Sequence, residues 1–366
     1  MAGARASQPP AASGCYDLPC SDESRLSSLD SAWFEMDLPG AAGRPDSDLR
    51  PVGAGTRNLL AMADSKADSA RQLLEIGTTM VPTGLEWLRG SAAGDAWLES
   101  LPDLLKGCVE HWSLRLGSPY GDSHVSLVLP ATMPEGTDAL LKIQFPHPES
   151  EFEAAALEHW KGNGAVRLLG YDPERHALLI ERCRPGSHLS ELDSESALGV
   201  MIGLLPRLWI PAGAPFQPLA QEAARWADEL PQRWELGGRP FERKLLDAAV
   251  DTLETLSVSQ GEQVLLHQDL HADNVLQAQR EPWLAIDPKP LAGEREFGIA
   301  PIVRGYELGH SRERVIHRLD RLSVELGLDR ERARGWAFAQ TVAWAFEGAD
   351  VLPRHVETAR WLLQAA

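Results

Sequence analysis

The sequence predicts an α+β protein in which a small β-rich lobe precedes a larger, mainly helical one. Three observations carry this. Short apolar runs dominate residues 112–182, with one helix inserted among them. After Arg184-Pro185-Gly186-Ser187 the apolar residues recur at helical spacing instead. Two further short apolar runs, 264–266 and 283–286, lie between two of those helices. Strands grouped at one end and helices at the other are the mark of an α+β plan.

The elements follow in chain order. Leu85, Leu88, Trp97, Leu101, Leu104 and Leu105 give a helical pattern. A strand-like region at 112–129 carries Gly117 and Gly121 at its turn. Residues 139–143 form a short apolar strand. Residues 151–160 form a helix, with Phe152, Ala155, Ala156 and His159 at helical spacing. Two strands, 166–169 and 177–180, flank the Tyr171-Asp172-Pro173-Glu174 turn. In the second lobe, 241–256 and 311–326 each repeat apolar residues on one helical face, and Gly327 is placed to end the latter as a C′ glycine. The apolar stretch 197–216 is broken by Arg207 and prolines, so it reads as a buried helix followed by a loop and not as a membrane span.

Residues 1–79 have a different texture, rich in Ala, Gly, Ser, Asp and Pro without a sustained apolar period. They are expected to be a low-complexity, disordered extension in which 59–74 could form one helix. Met80 is an alternative first residue. The expected domains are therefore 1–79 as an extension, 80–183 as the small lobe and 184–366 as the helical lobe.

Composition narrows the function. The 366 residues hold 35 Lys and Arg against 53 Asp and Glu, a formal charge of −18. That balance argues against a nucleic-acid partner, which needs clustered cations, and suits a cationic small molecule. The four cysteines, Cys15, Cys20, Cys108 and Cys183, contain no Cys-x-x-Cys pair, so neither a disulfide framework nor a zinc site is expected. The first ten residues lack the apolar core of a signal peptide, and a cytoplasmic location is expected.

The chemistry-bearing stretch is His267-Gln268-Asp269-Leu270-His271-Ala272-Asp273-Asn274, with Asp287-Pro288-Lys289 ending the next strand. Asp269, Asn274 and Asp287 thus sit on two strand-flanked loops. Phosphoryl transfer needs such a set. One carboxylate orients the attacking hydroxyl and takes its proton, while an amide and a second carboxylate hold Mg²⁺. His267 and His271 would suit a softer metal, but hard oxygens point to Mg²⁺.

His-x-Asp-Leu-His-x-x-Asn followed by Trp-Leu-Ala-Ile-Asp-Pro-Lys-Pro resembles the aminoglycoside phosphotransferases, in particular the streptomycin 6-phosphotransferase and hydroxyurea phosphotransferase branch. The resemblance covers roughly residues 80–366. It implies a two-lobed protein-kinase-like fold and an ATP- and Mg²⁺-dependent kinase. Asp269 would be the catalytic carboxylate, and Asn274 and Asp287 the metal ligands. Lys142, in Ala-Leu-Leu-Lys-Ile, matches the lysine that contacts the nucleotide phosphates. Glu153 fits the glutamate paired with it, and Glu151 competes for that role because sequence does not say which helix face turns inward. The 117–123 loop matches the family's loop over the phosphates, offering Gly117, Gly121 and Ser123. Glu181 and Cys183 mark the hinge where adenine would meet the backbone. Gln268 stands where many members carry Gly.

Several residues keep two readings. Lys289 suits a phosphate or substrate contact, or a structural ion pair. Glu294 and Glu296 could receive a guanidinium-bearing substrate bidentately, or simply form a solvated acidic loop. Glu307 and Glu347 are weaker candidates of the same kind. Trp336 and Trp344 read as packing, with an aromatic substrate wall as the alternative. The implied acceptor is streptomycin, phosphorylated at its 6-hydroxyl, or hydroxyurea, in an antibiotic-resistance role. The alternatives are a metabolite kinase acting on an amino sugar or alcohol, and a nucleotide-binding regulator that has lost catalysis.

Overall fold

A computed structural model describes residues 81–121, 123–348 and 350–365. The readings made for 1–79 and the helix at 59–74 lie outside the described residues. The β-rich lobe is one antiparallel sheet of β1 (Arg115–Leu116), β2 (Ser126–Thr132), β3 (Asp138–Gln144), β4 (Leu168–Asp172) and β5 (Ala177–Glu181), in the order β1-β2-β3-β5-β4. The expected turn at 171–174 begins later than anticipated, because β4 continues through Asp172 with a bulge between Leu168 and Gly170.

Alternation along β5 explains why this sheet is buried on both faces. Ala177 and Leu179 join one apolar cluster, while Leu178 and Ile180 join the other. The first cluster is covered by α1 (Ala92–Trp112), through Leu98, Leu101, Leu105 and Cys108. Ser91 starts that helix by accepting from Gly94 N at 3.0 Å, a cap that contributes about 1 kcal/mol. The opposite face meets α2 (Glu153–Trp160), whose Ala156, Leu157 and Trp160 belong to the large-lobe core.

The helical lobe contains α3 (Ser194–Leu208), α4 (Leu219–Leu236), α5 (Arg243–Ser257), α6 (Ala300–Arg304), α7 (Arg312–Leu326), α8 (Arg330–Ala343) and α9 (Pro353–Leu363). Gly327 does end α7, with φ of 65°. Helix α8 runs through the middle, with every residue from Gly335 to Ala343 buried. Small residues let its neighbours close in: a Cβ on Gly335 would stand 3.0 Å from Leu256 Cδ1. Trp336 is fully buried and meets Phe297 edge-to-face at 5.5 Å. Truncating it to Ala would cost about 3–5 kcal/mol.

Five short strands punctuate these helices: β6 (Gln217–Pro218), β7 (Val264–Leu266), β8 (Val275–Gln277), β9 (Trp283–Ala285) and β10 (Leu291–Gly293). Strands β8 and β9 form a hairpin, and β6, β10 and β7 a small sheet in that order. A further pair, β11 (Phe346–Glu347) and β12 (Asp350–Val351), precedes α9. Among the described residues no helix is long and apolar enough to cross a membrane.

Candidate active site

The 267–274 loop leaves β7 and enters β8, and Asp287 follows β9, so the hairpin carries both loops. Backbone bonds lock them together. Ile286 N donates to Asn274 O at 2.9 Å and Lys289 N to His267 O at 3.0 Å. The buried His267 ring donates from Nε2 to Ile286 O at 2.9 Å and stacks on Trp160. It is therefore a structural histidine of the loop, and burial pushes its pKa down to about 4. Gln268 and Asp287 both take positive φ, 62° and 54°. That region favours glycine, which explains why Gly is a natural occupant at 268.

Asp269 presents its carboxylate to two cations and an imidazole. Lys289 Nζ lies 3.4 Å from Oδ2, and Arg304 Nη2 and His271 Nε2 each lie 3.9 Å from Oδ1. Burial opposes the charge on Asp269, but Lys289, His271 and Arg304 outweigh it and hold its pKa below the usual carboxylate range. A base that is ionised at neutral pH is what proton removal from a hydroxyl requires. Asn274 spends its amide nitrogen on Asp269 O at 2.9 Å, which leaves its side-chain oxygen for another partner.

Lys142 on β3 reaches three carboxylate oxygens: Glu153 Oε1 at 2.9 Å, Glu153 Oε2 at 2.7 Å and Asp287 Oδ1 at 2.9 Å. Burial disfavours its charge, yet Asp287 and Glu153 raise its pKa above the ordinary lysine value. The structure puts Glu153, and not the exposed Glu151, against this lysine. Gln144 Nε2 adds a bond to Glu153 Oε2 at 2.6 Å. Asp287 keeps half of its side chain exposed. An amide oxygen and a half-exposed carboxylate are hard donors that fit Mg²⁺, which takes few protein ligands and completes its shell with phosphates and water.

Other expected residues are placed less favourably. Gly117 N donates to Pro130 O at 2.7 Å, so that N–H is already spent within the sheet. Gly121 has open space around it, and Ser123 is half-buried beside it. Glu181 is engaged at both ends: its N–H bonds Arg167 O at 2.9 Å, and its carboxylate takes Arg280 Nε at 2.9 Å. Cys183 is buried, and burial pushes its thiol up to about 12.

The expectation for Glu294 needs correction. It is 2% exposed, and its oxygens accept from Arg332 Nε at 2.6 Å, from Trp336 Nε1 and from Gly261 N at 3.1 Å. A carboxylate so committed is structural. Glu296 accepts from Asp329 N at 3.5 Å, next to the start of α8, and Glu307 accepts from Ala272 N at 3.0 Å.

Sequence reasoning missed Arg304, Gln340 and Gly84, and treated Trp344 chiefly as packing. Arg304 Cζ lies 4.4 Å and Lys289 Nζ 4.8 Å from the Trp344 ring centroid. Burial lowers the Arg304 pKa to about 10. Gly84 lies so close to the phosphate-loop candidates that a Cβ there would meet Ser123 O at 2.3 Å.

Comparison with known proteins agrees with this architecture. The chain is 38% identical to a hydroxyurea phosphotransferase of Kitasatospora aureofaciens over 350 residues, covering 93% of this chain and 94% of that protein. That is more than residues 80–366 provide, so the alignment reaches into the leading segment. A streptomycin 6-kinase of Streptomyces glaucescens is also 38% identical, over 69% of this chain and 86% of its own. Among solved structures, a choline kinase from Streptococcus pneumoniae shares the fold, with TM-score 0.51 and 12% identity over 72% of this chain and 99% of its own. The profile of the aminoglycoside/hydroxyurea antibiotic resistance kinases matches residues 111–351, and the chain belongs to that family.

Proposed function

We propose that the protein transfers the γ-phosphate of ATP to the hydroxyl of hydroxyurea, with Mg²⁺ as the metal. The observation that carries the reaction is the convergence of Asp269, Asn274, Asp287 and Lys142 at the β8–β9 hairpin. Asp269 orients the acceptor hydroxyl and takes its proton as the new oxygen–phosphorus bond forms. The bond to the β,γ-bridging oxygen breaks, and ADP leaves. Lys142, aimed by Glu153, holds the nucleotide phosphates. Asn274 and Asp287 would hold Mg²⁺, which neutralises the phosphate charge.

Two observations favour hydroxyurea. The hydroxyurea phosphotransferase matches this chain almost end to end. The surroundings of Asp269 are cationic, while Glu294 is not free to receive a guanidinium. Streptomycin is the second reading, supported by the equal 38% identity to a streptomycin 6-kinase. A cytoplasmic site of action fits a phosphate donor such as ATP.

The test is ADP release by the purified protein with ATP and Mg²⁺. Hydroxyurea, streptomycin, a 2-deoxystreptamine aminoglycoside and no acceptor are compared. Hydroxyurea-dependent release supports the first reading, and streptomycin-dependent release alone supports the second. Nucleotide binding without release on any acceptor would point to a metabolite kinase or a regulator.

A further inference from the structure

We propose that Arg304, seated on Trp344 beside Asp269, is an acceptor-binding residue that takes the carbonyl oxygen adjoining the reacting hydroxyl. Its donors are poorly satisfied by the protein. Among the described residues its hydrogen bond runs from Nη1 to Gln340 Oε1 at 2.7 Å. Nη2 stands 3.9 Å from Asp269 Oδ1, beyond hydrogen-bond length. Among the described residues neither Nε nor Nη2 has a hydrogen-bond partner, and the side chain keeps only 9% of its surface exposed. A largely buried guanidinium with unmet donors is costly unless something supplies an acceptor.

The group is also held firmly. The Trp344 ring lies 4.4 Å from Arg304 Cζ. Gln340, which bonds Arg304, also donates from Nε2 to Gln268 O at 3.3 Å. Arg304 is thereby tied to the loop that carries Asp269. The carboxylate also faces the Lys289 ammonium and the His271 ring, with Glu149 3.1 Å from Lys289 Nζ.

This arrangement matches an N-hydroxy amide. Its O–N–C=O unit sets hydroxyl and carbonyl oxygens side by side, the hydroxyl toward Asp269 and the carbonyl toward Arg304 Nη2. The guanidinium and the Lys289 ammonium repel acceptors that carry an ammonium or guanidinium at the same place. The assignment rests on reading Asp269 as the carboxylate that faces the acceptor hydroxyl.

The experiment is steady-state kinetics of Arg304→Met and Arg304→Lys with ATP and Mg²⁺. Two acceptors are compared: hydroxyurea, and hydroxylamine, which keeps N–OH but lacks the carbonyl and is used as substrate or competitive inhibitor. In Arg304→Met the KM for hydroxyurea should rise about 30-fold, the strength of one charge-assisted hydrogen bond. The KM for ATP and for hydroxylamine should change far less than that for hydroxyurea, and Arg304→Lys should recover part of the loss. Equal losses on both acceptors, or a loss confined to ATP, would overturn the assignment. Should Arg304→Met not fold, Trp344→Leu carries the same comparison. If the wild-type protein does not turn hydroxyurea over, the kinase reading for that acceptor fails. Hydroxyurea binding to the ADP-loaded protein, followed by NMR, then decides the role of Arg304: weakening in Arg304→Met retains it, and equal binding removes it.

Discussion

Lys142 and Asp287 are joined across 145 residues, with Nζ 2.9 Å from Oδ1. One partner belongs to the β-rich lobe and the other follows the hairpin of the helical lobe. The lysine proposed to hold the nucleotide and the carboxylate proposed to hold the metal are thus in direct contact. Glu153 completes the set from α2, with both of its oxygens within 2.9 Å of Nζ. The lysine is only 6% exposed at its side chain, so the ion pair is a buried one.

Removing one member of this set separates stability from catalysis. Lys142→Met leaves Glu153 buried without its cation, a loss of about 3–5 kcal/mol. It also removes the proposed phosphate contact. The double variant with Glu153→Gln should regain much of the lost stability, because no buried charge is then left alone. It should regain no turnover. Melting temperature and ADP release, measured on both variants, check the two halves; recovered turnover in the double variant would contradict the role given to Lys142.

Asp269→Ala should reduce turnover by about 10²–10⁴-fold, the usual contribution of a positioned base. Nucleotide binding should survive, since Lys142 and Asp287 lie on other elements. The thermal shift produced by ADP with Mg²⁺ is the measurement. Turnover equal to that of the unaltered protein would remove Asp269 from the mechanism.

How far the sequence carried the argument depends on how local each feature is. Asp269 and Asn274 lie in one eight-residue loop, and Asp287 ends the next strand, so their spacing alone exposed them. Glu153 and Glu151 could not be separated, because the choice of helix face is made by packing against β3 and not by the helix. Arg304, Gln340 and Trp344 come from α6, from α8 and from just after it, and nothing in their local pattern predicts that they meet. From Gly335 to Ala343 helix α8 is buried on every side, which removes the amphipathic signal on which helix reading relies. Glu294 misled for the same tertiary reason: Arg332, its partner, is 38 residues away.

Acid should weaken the fold through two histidines, the buried His267 and the half-buried His355. Burial lowers His267 and His355 to about 4, below the ordinary value of 6.5. Each is therefore neutral in the folded chain and charged in the unfolded one over the interval between those values. The unfolded state binds more protons there, so stability is full above about pH 6.5 and falls as the pH drops toward 4. The loss is on the order of 3 kcal/mol per ring. Urea midpoints at pH 7 and pH 5 check this. His355→Gln should flatten the dependence; an unchanged slope would show that this ring does not contribute.

Glu294 offers the sharpest contrast between the sequence expectation and the structure. As a substrate ligand, its loss would raise the acceptor KM and leave the fold alone. The structure requires the opposite. Its carboxylate receives Arg332, Trp336 and Gly261, joining α8 to β10 and to the turn after α5. Glu294→Ala takes the carboxylate from Arg332, which keeps its bonds to Ser259 and Leu256, and leaves the buried Trp336 N–H without a partner, a cost of about 2–3 kcal/mol. The urea midpoint should fall accordingly, while the KM for the acceptor, measured well below the new melting temperature, stays where it was. A raised KM in a protein of unaltered stability would return Glu294 to the acceptor site.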